Sequence, residues 1–303
     1  MYDDSDKRKD RVSEMRNSKV TIQNNQRIAA DMYEIVLQIP KTTEDKALLQ
    51  QVRAGQFINI KIEGCYLRRP ISICDWDEVE GTITIVYQIV GRGTEIMGRM
   101  QSGETLDILW PLGNGYDLMP GNIQHSESDA RPLLIGGEAA VPLLIGGGAG
   151  VPPMVGLCRR LIMKGAEPVV ILGFRSAENA FYRDRFEQMG ARVIVTTEDG
   201  SMGEKGFVTD AAATLLCGAG TVSMLCDGSD MHRQNWNLFA CGPEALLRAI
   251  DQTLPADIPG QMSFEERMGC GFGACMGCSC KTKYGSKRIC KDGPVLERSE
   301  IIW

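Results

Sequence analysis

PLLIGGGAGVPPMVGLCRRL, residues 142–161, decides how the middle of this chain folds. A short apolar run ends in Gly146-Gly147-Gly148-Ala149-Gly150, and the helix-like VGLCRRLIMKG (155–165) follows. Strand, glycine turn and helix in that order let backbone N–H groups reach a phosphate at a helix N-terminus. The glycines lack the G-x-G-x-x-G order of the standard dinucleotide fingerprint, so that particular fold is not implied. PLLIGGEAAV (132–141) stands directly before PLLIGGGAGV (142–151), and two copies of a ten-residue period are too few for a solenoid. The second copy is expected to be the strand that feeds the loop, because it leads straight into helix-like sequence. The first runs into another strand.

Working outward, PVVILGF (168–174), ARVIVTT (191–197) and NWNLFACG (235–242) alternate with FYRDRFEQMG (181–190) and PEALLRAIDQTL (243–254). That alternation predicts a parallel α/β domain over 132–260. Its strand ends carry Gly173–Ser176, Thr197–Ser201 and Cys241–Glu244, at the edge where ligands of an open α/β sheet bind. Any one string has an ordinary packing explanation; several at one edge make packing a poor account. Upstream, QFINIKI (56–62) and TITIVYQIV (82–90) are β-branched runs separated by turn signals, with no long amphipathic helix between them. They predict a small antiparallel β-barrel over 18–120. GNIQHSESDAR (121–131) reads as a linker. Residues 1–17 balance acidic against basic charge, have no apolar run, and read as a disordered tail.

The chain has 303 residues, long enough for two or three domains, and 11 cysteines, five of them in the last 34 residues. Clustering of that kind points to a metal. The spacing Cys270-x4-Cys275-x2-Cys278-x11-Cys290 suits a 2Fe-2S cluster, because a glycine-rich loop lets three sulfurs converge while a later strand returns the fourth. Zinc competes, but its sites usually pair two CxxC knuckles, and only one is present with suitable flanks. Cys280 is expected to point to the other face of a strand. Residues 261–303 read as a separate unit, too short to fold without that staple. In the barrel, Arg69-Pro70-Ile71-Ser72 offers a guanidinium for a pyrophosphate and a hydroxyl for a flavin ring, although four letters alone equally describe a surface arginine beside a proline. Gly91-Arg92-Gly93-Thr94 offers backbone N–H groups and a hydroxyl to phosphate, and is also a common hairpin turn.

Composition excludes other classes. Net charge is −6, from 39 acidic and 33 basic residues, with no basic block to track a phosphate backbone, which disfavours nucleic acid. Residues 139–158 are uncharged, but Pro142, Pro152, Pro153 and their glycines argue against a membrane helix. The expected location is the cytoplasm, with reduced thiols. His125 and His232 are the only histidines and have no triad context, and no G-x-x-x-x-G-K-[ST] occurs. Hydrolysis and phosphoryl transfer are disfavoured, and no acid–base catalytic residue is expected.

RRPIS, GRGT, GGGAGVPP, ACGP and the cysteine run, in that order, resemble the ferredoxin–NADP reductase superfamily. Within it, LRRPISI, TEDGSMGEKGFVTD and the tail ERMGCGFGACMGCSCKT…RICKDGPV look like the electron-transfer subunits of NAD-dependent dihydroorotate dehydrogenases. The resemblance covers nearly all of residues 18–303 and implies FAD, one 2Fe-2S cluster and NAD. It implies that Arg69, Pro70, Ile71, Ser72, Val86, Tyr87, Gln88, Gly93 and Thr94 contact FAD. Gly147, Gly148 and Gly150 would hold the NAD phosphates, Cys241, Gly242 and Pro243 would flank the nicotinamide, and Cys270, Cys275, Cys278 and Cys290 would ligate the cluster. It further implies a partner, an FMN-containing catalytic subunit that oxidises dihydroorotate in pyrimidine synthesis, in a heterotetramer of two of each chain; the 270–290 loop is the expected contact, because the cluster must lie close to the partner for electrons to cross. FAD is needed as converter, since nicotinamide exchanges a hydride and the cluster passes single electrons. Glu198 and Asp199 near a strand end favour NAD over NADP, because a carboxylate repels a 2′-phosphate. The duplicated PLLIGG segment and the loop CGAGTVSMLCDGSDMHRQ (217–234) depart from the pattern. A subunit of a ferredoxin–NADP transhydrogenase or sulfide dehydrogenase shares the two nucleotide domains, and a zinc-stabilised binding module without flavin is the reading from another class.

Overall fold

The computed structural model describes residues 15–118, 134–135, 138–217 and 235–303. The 121–131 linker, both histidines and nearly all of the 217–234 loop lie outside them. Six strands, β1 (Arg16–Arg27), β2 (Met32–Gln38), β3 (Phe57–Lys61), β4 (Arg69–Asp77), β5 (Thr82–Gln88) and β6 (Thr105–Leu112), close an antiparallel barrel in the order β1-β2-β5-β4-β3-β6. Each strand contributes at least one fully buried isoleucine, Ile22, Ile35, Ile58, Ile73, Ile85 and Ile108, with Ile60 and Ile83 in addition. Burying each such side chain contributes roughly 1.5–3 kcal/mol. Register shifts between Ile22 and Asn24, Phe57 and Asn59, and Ile73 and Asp75 bend the strands enough for the barrel to close. Two short helices interrupt the strands, α1 (Thr43–Leu49), whose N-cap Thr42 hydroxyl accepts from the Asp45 N–H at 3.1 Å, and α2 (Arg92–Arg99).

The second unit begins with β7 (Leu134–Ile135), which pairs antiparallel with the start of β8 (Glu138–Gly147). The second PLLIGG copy is therefore the strand that feeds the glycine loop and α3 (Val151–Met163), as expected, and the first turns back on its neighbour. β9 (Val169–Phe174), α4 (Arg183–Gln188), β10 (Arg192–Thr197), β11 (Glu204–Lys205), α5 (Val208–Cys217), β12 (Asn235–Cys241) and α6 (Glu244–Thr253) follow. The tail supplies β13 (Gly260–Ser263), the hairpin β14 (Ser279–Thr282) and β15 (Gly285–Arg288), and β16 (Val295–Glu297). The sheet order is β11-β10-β9-β8-β12-β13-β16, parallel except for antiparallel β16.

The tail is thus stitched to the sheet at both ends. Arg298, whose side chain is 6% exposed, ties it down further: its Nε donates to Asp251 Oδ1 at 2.6 Å. Its two terminal nitrogens donate to the carbonyls of Asp251, Leu254, Pro255 and Ile258, in and just past the last turn of α6. Carbonyls in the last turn of a helix lack intrahelical donors, so a buried arginine there satisfies groups that would otherwise be orphaned. Barrel and sheet share one apolar core across the α3–β4 contact, where a Cβ on Gly156 would lie 2.9 Å from the Cys74 carbonyl oxygen. Among the described residues no helix is long and apolar enough to cross a membrane.

Candidate functional site

Arg69, Pro70, Ile71 and Ser72 open β4 and are all half-buried, so the motif lies at an accessible lip of the barrel. GRGT, two of whose residues were expected at the same ligand, is the entry to α2, and the structure brings it to Arg69. A Cβ on Gly93 would lie 2.4 Å from Arg69 Nε and 2.8 Å from its Cζ, so glycine makes room for the guanidinium. The first-turn N–H groups of a helix lack intrahelical partners, and here a cation stands beside them, which is a cradle for an anion. Thr94 fixes the turn: its hydroxyl donates to the Gly91 carbonyl at 2.9 Å and accepts from the Val90 N–H at 3.0 Å. On β5, Gln88 is exposed, but Val86 and Tyr87 are buried. The Tyr87 ring stacks on Tyr33 at 6.0 Å, its hydroxyl is 3.4 Å from Asn25 Oδ1, and burial raises its pKa.

At the sheet edge, Gly150 has no room for a side chain: a Cβ would lie 2.1 Å from the Cys241 carbonyl oxygen. On Gly147 it would lie 2.4 Å from Leu246 Cδ1. The glycine loop is pressed onto Cys241-Gly242, so two expected nicotinamide elements meet. Gly148, with φ of +52° and open space around it, faces outward from the turn. Pro152 and Pro153 carry no N–H, so the donors at this helix start are the loop's own amides. The Cys241 thiol is buried beside Ser263, its register partner on β13; burial, against a smaller lowering by the Ser263 hydroxyl, pushes it up to about 12. It is a neutral group at physiological pH. Of the two acidic residues at the end of β10, both exposed, Asp199 binds its own loop, accepting from the Ser201 N–H at 2.9 Å.

The four tail cysteines fall into two pairs. Cys270 and Cys275 face each other at the outer side of the loop, and Cys278 and Cys290 are buried together at its inner side. Among the described residues no group of three or more metal-ligating side chains stands already closed around one point. The loop is nevertheless built around sulfur. Ala274 and Cys275 donate their N–H groups to Cys270 Sγ at 3.2 and 3.4 Å, and the Cys290 N–H donates to Cys278 Sγ at 3.4 Å. Desolvation opposes ionisation of Cys270, but backbone N–H groups, led by that of Cys275, bring it down to about 6. Burial, helped by the neighbouring Cys278, pushes Cys290 up to about 12. Left-handed Gly271, Gly273 and Met276, at φ of +79°, +90° and +59°, fold the loop back on itself. Such backbone amides converging on thiolates satisfy the charge that cluster ligands carry. Cys280 is half-buried on β14 and packs against the apolar cluster that also contains Cys278 and Cys290.

Asn59 is the residue the sequence did not single out. Its side-chain N–H donates to the Cys270 carbonyl at 3.4 Å, and a Cβ on Gly271 would lie 2.2 Å from Asn59 Nδ2. Asn59 pairs with Pro70, and its neighbour Ile60 pairs with Arg69. The cysteine loop is therefore seated one strand-pairing step from the RPIS motif. No signal in a lone asparagine within FINIK announces this.

Residues 265–302 match the iron–sulfur cluster binding domain of dihydroorotate dehydrogenase B, and residues 144–252 match the oxidoreductase NAD-binding domain. The dihydroorotate dehydrogenase B (NAD(+)) electron transfer subunit of Bacillus mycoides is 36% identical over 297 residues, 95% of this chain and 99% of the relative. That of Geobacillus kaustophilus is 36% identical over 293 residues, covering 94% and 98%. This chain belongs to the family of dihydroorotate dehydrogenase B electron transfer subunits. Among solved structures, an NADH-dependent reduced ferredoxin–NADP oxidoreductase has the same fold, with a TM-score of 0.74 at 23% identity over 94% of this chain and 90% of that one. A cytochrome P450 reductase from Amycolatopsis gives a TM-score of 0.58 at 22% identity, covering 80% of this chain and 68% of that one. The expected barrel, parallel sheet and cysteine tail are thus the architecture of an electron transfer subunit, an oxidoreductase component that works beside a catalytic partner.

Proposed function

We propose that this subunit moves electrons between NAD(H) and an FMN-containing dihydroorotate dehydrogenase chain, in the cytoplasm, during pyrimidine synthesis. FAD and a 2Fe-2S cluster are its resident groups: one exchanges a hydride with nicotinamide and single electrons with the other. The chain's own contribution is placement. Arg69 and the start of α2, with Thr94 bracing the turn, hold the flavin nucleotide's phosphates, and Pro70, Ile71, Ser72, Val86, Tyr87 and Gln88 form the surrounding wall. Gly147, Gly148 and Gly150 present amides to the NAD phosphates. Cys241, Gly242 and Pro243 border the nicotinamide, where a neutral, buried thiol lets a charged ring approach without proton exchange. Cys270, Cys275, Cys278 and Cys290 hold the cluster.

The observation that carries this reading is the seat of the cysteine loop on Asn59, beside Arg69 and Pro70 in the strand ladder. A cluster there is a neighbour of the flavin motif, as single-electron exchange requires. Exposed Phe272 and Met276 lie on that same loop, and exposed Tyr66 and Leu67 precede Arg68, which donates to the Asn59 carbonyl at 3.1 Å. This apolar face is where the partner docks, in a heterotetramer of two of each chain. The test is anaerobic purification with the native partner. Flavin and iron–sulfur absorption should both bleach on adding dihydroorotate and recover with NAD+; a colourless chain with stoichiometric zinc, or no reduction by dihydroorotate, would overturn it.

A further inference from the structure

We infer that Arg185 is a positioning residue for hydride exchange: it heads a buried ionic latch that fixes the α/β unit on the barrel. The inference rests on the functional reading above. Arg185, on α4, reaches across to two barrel carboxylates. Its Nη1 is 3.2 Å from Glu34 Oε2 on β2, and its Nη2 is 3.1 Å from Asp75 Oδ2 on β4. Arg159, on α3, binds the other Asp75 oxygen and also donates to the Trp76 carbonyl. Tyr182 donates its hydroxyl to Glu34 and lies under the Arg185 guanidinium, 4.9 Å from ring centre to Cζ. Two guanidiniums from one unit thus share two carboxylates from the other.

Local geometry at two places is bent to make this possible. The register of β4 slips between Ile73 and Asp75, so Cys74 is the extra residue of a bulge, a device that re-aims the side chain after it. Tyr182 sits at φ of +67°, a left-handed conformation that bulky residues rarely adopt and that marks a site held by its surroundings. The carboxylate side chains are 12% exposed and the guanidiniums about a third exposed. Beneath them Cys74 is fully buried and uncharged, its thiol pushed up to about 12 by burial, and serves as packing. Buried ion pairs contribute little net stability compared with apolar packing, and a well-attested use of them is to specify one arrangement over its neighbours. Here the arrangement specified is the angle at which the loop of Gly147–Gly150 faces the lip of Arg69–Ser72. None of the five latch residues belongs to either lip, so loosening the latch should leave nucleotide binding alone and misplace the reacting rings.

The experiment is rapid-mixing reduction of the full FAD- and cluster-loaded chain by NADH. Arg185→Met should lower the limiting rate of flavin reduction on the order of tenfold to a hundredfold, the effect of misplacing reactants by about an ångström. The NADH concentration giving half the limiting rate should stay within a factor of about two, and Arg185→Lys should recover part of the rate. Should Arg185→Met fold poorly, Glu34→Gln, which keeps shape and removes one charge, is read the same way. An unchanged limiting rate in either folded variant, or a change confined to NADH affinity, overturns the proposal. Amide hydrogen exchange reads the latch without turnover: faster exchange confined to α4 and the β2 and β4 segments it meets is expected in the variants, and an unchanged pattern refutes it. A wild-type flavin that NADH fails to reduce would instead overturn the functional reading itself.

Discussion

Replacing Gly150 with alanine tests the contact on which the nicotinamide edge depends. The added Cβ would stand 2.1 Å from the Cys241 carbonyl oxygen, 2.3 Å from its carbon and 2.6 Å from the Gly242 nitrogen. All three are backbone atoms at the end of a central strand, so no side chain can swing aside. A carbon–oxygen contact of about 3.3 Å is the closest comfortable approach, so the loop and strand end must part by about 1.2 Å. Misplacement of reactants by about 1 Å costs on the order of a hundredfold in rate, or about 2.7 kcal/mol at 1.36 kcal/mol per tenfold. The strain also costs about 1–3 kcal/mol of stability, as for an overpacked core. The expected result is NADH-dependent flavin reduction slowed about a hundredfold, with FAD and cluster absorption unchanged. Gly148→Ala is the control: its surroundings are open, so only the left-handed φ of +52° is penalised, by about 1–2 kcal/mol. If Gly150→Ala turns over within twofold of wild type, the loop is not seated against the reacting edge and the reasoning fails.

Gly93→Ala should weaken FAD binding rather than NADH oxidation by loaded protein, because its Cβ displaces the Arg69 guanidinium; losing a charged hydrogen bond of about 1.5–3 kcal/mol predicts at least a tenfold rise in Kd by flavin fluorescence titration. Cys275→Ser should abolish iron–sulfur absorption while FAD stays bound, whereas Cys280→Ser should keep both spectra; loss of the cluster in Cys280→Ser would mean the wrong four thiols are named. Arg298→Met leaves the Asp251 carboxylate and several carbonyls without their partner and should cost about 3 kcal/mol, seen as a Tm lowered by several degrees with the cofactor spectra intact. A Tm within one degree of wild type would show that the tail is anchored by strand pairing alone.

What could be read from residue order was whatever rests on local pattern. QFINIKI and TITIVYQIV became β3 and β5 because alternation and β-branching act within one strand. The second PLLIGG copy became the strand before the glycine loop because glycine and proline punctuate locally. GRGT was recognised as a ligand turn but not as a helix start, since the eight residues of α2 are too few for periodicity to show. GQMS and VLE carry no pattern of their own and become strands only by adding to the sheet edge, β13 on β12 and β16 on β13. Asn59 and the latch of Glu34, Asp75, Arg159, Tyr182 and Arg185 were invisible for the same reason: each unites residues far apart in the chain, and none of the letters is unusual alone.

The way the tail joins both units also constrains how the protein is made. Asn114, just after the barrel, donates its side-chain N–H to the Val295 carbonyl at 2.7 Å, accepts from the Val295 N–H at 3.1 Å, and donates its backbone N–H to the Gly293 carbonyl at 2.7 Å. Those partners are translated some 180 residues after Asn114. Barrel and sheet can each begin to fold as they emerge from the ribosome, N-terminal part first. Their junction is completed only when Gly293 and Val295 arrive. A ribosome that stalls before residue 293 therefore leaves the α3–β4 contact and its ionic latch able to form but Asn114 without its partners, so arrival of the 293–295 stretch acts as a checkpoint for the working shape.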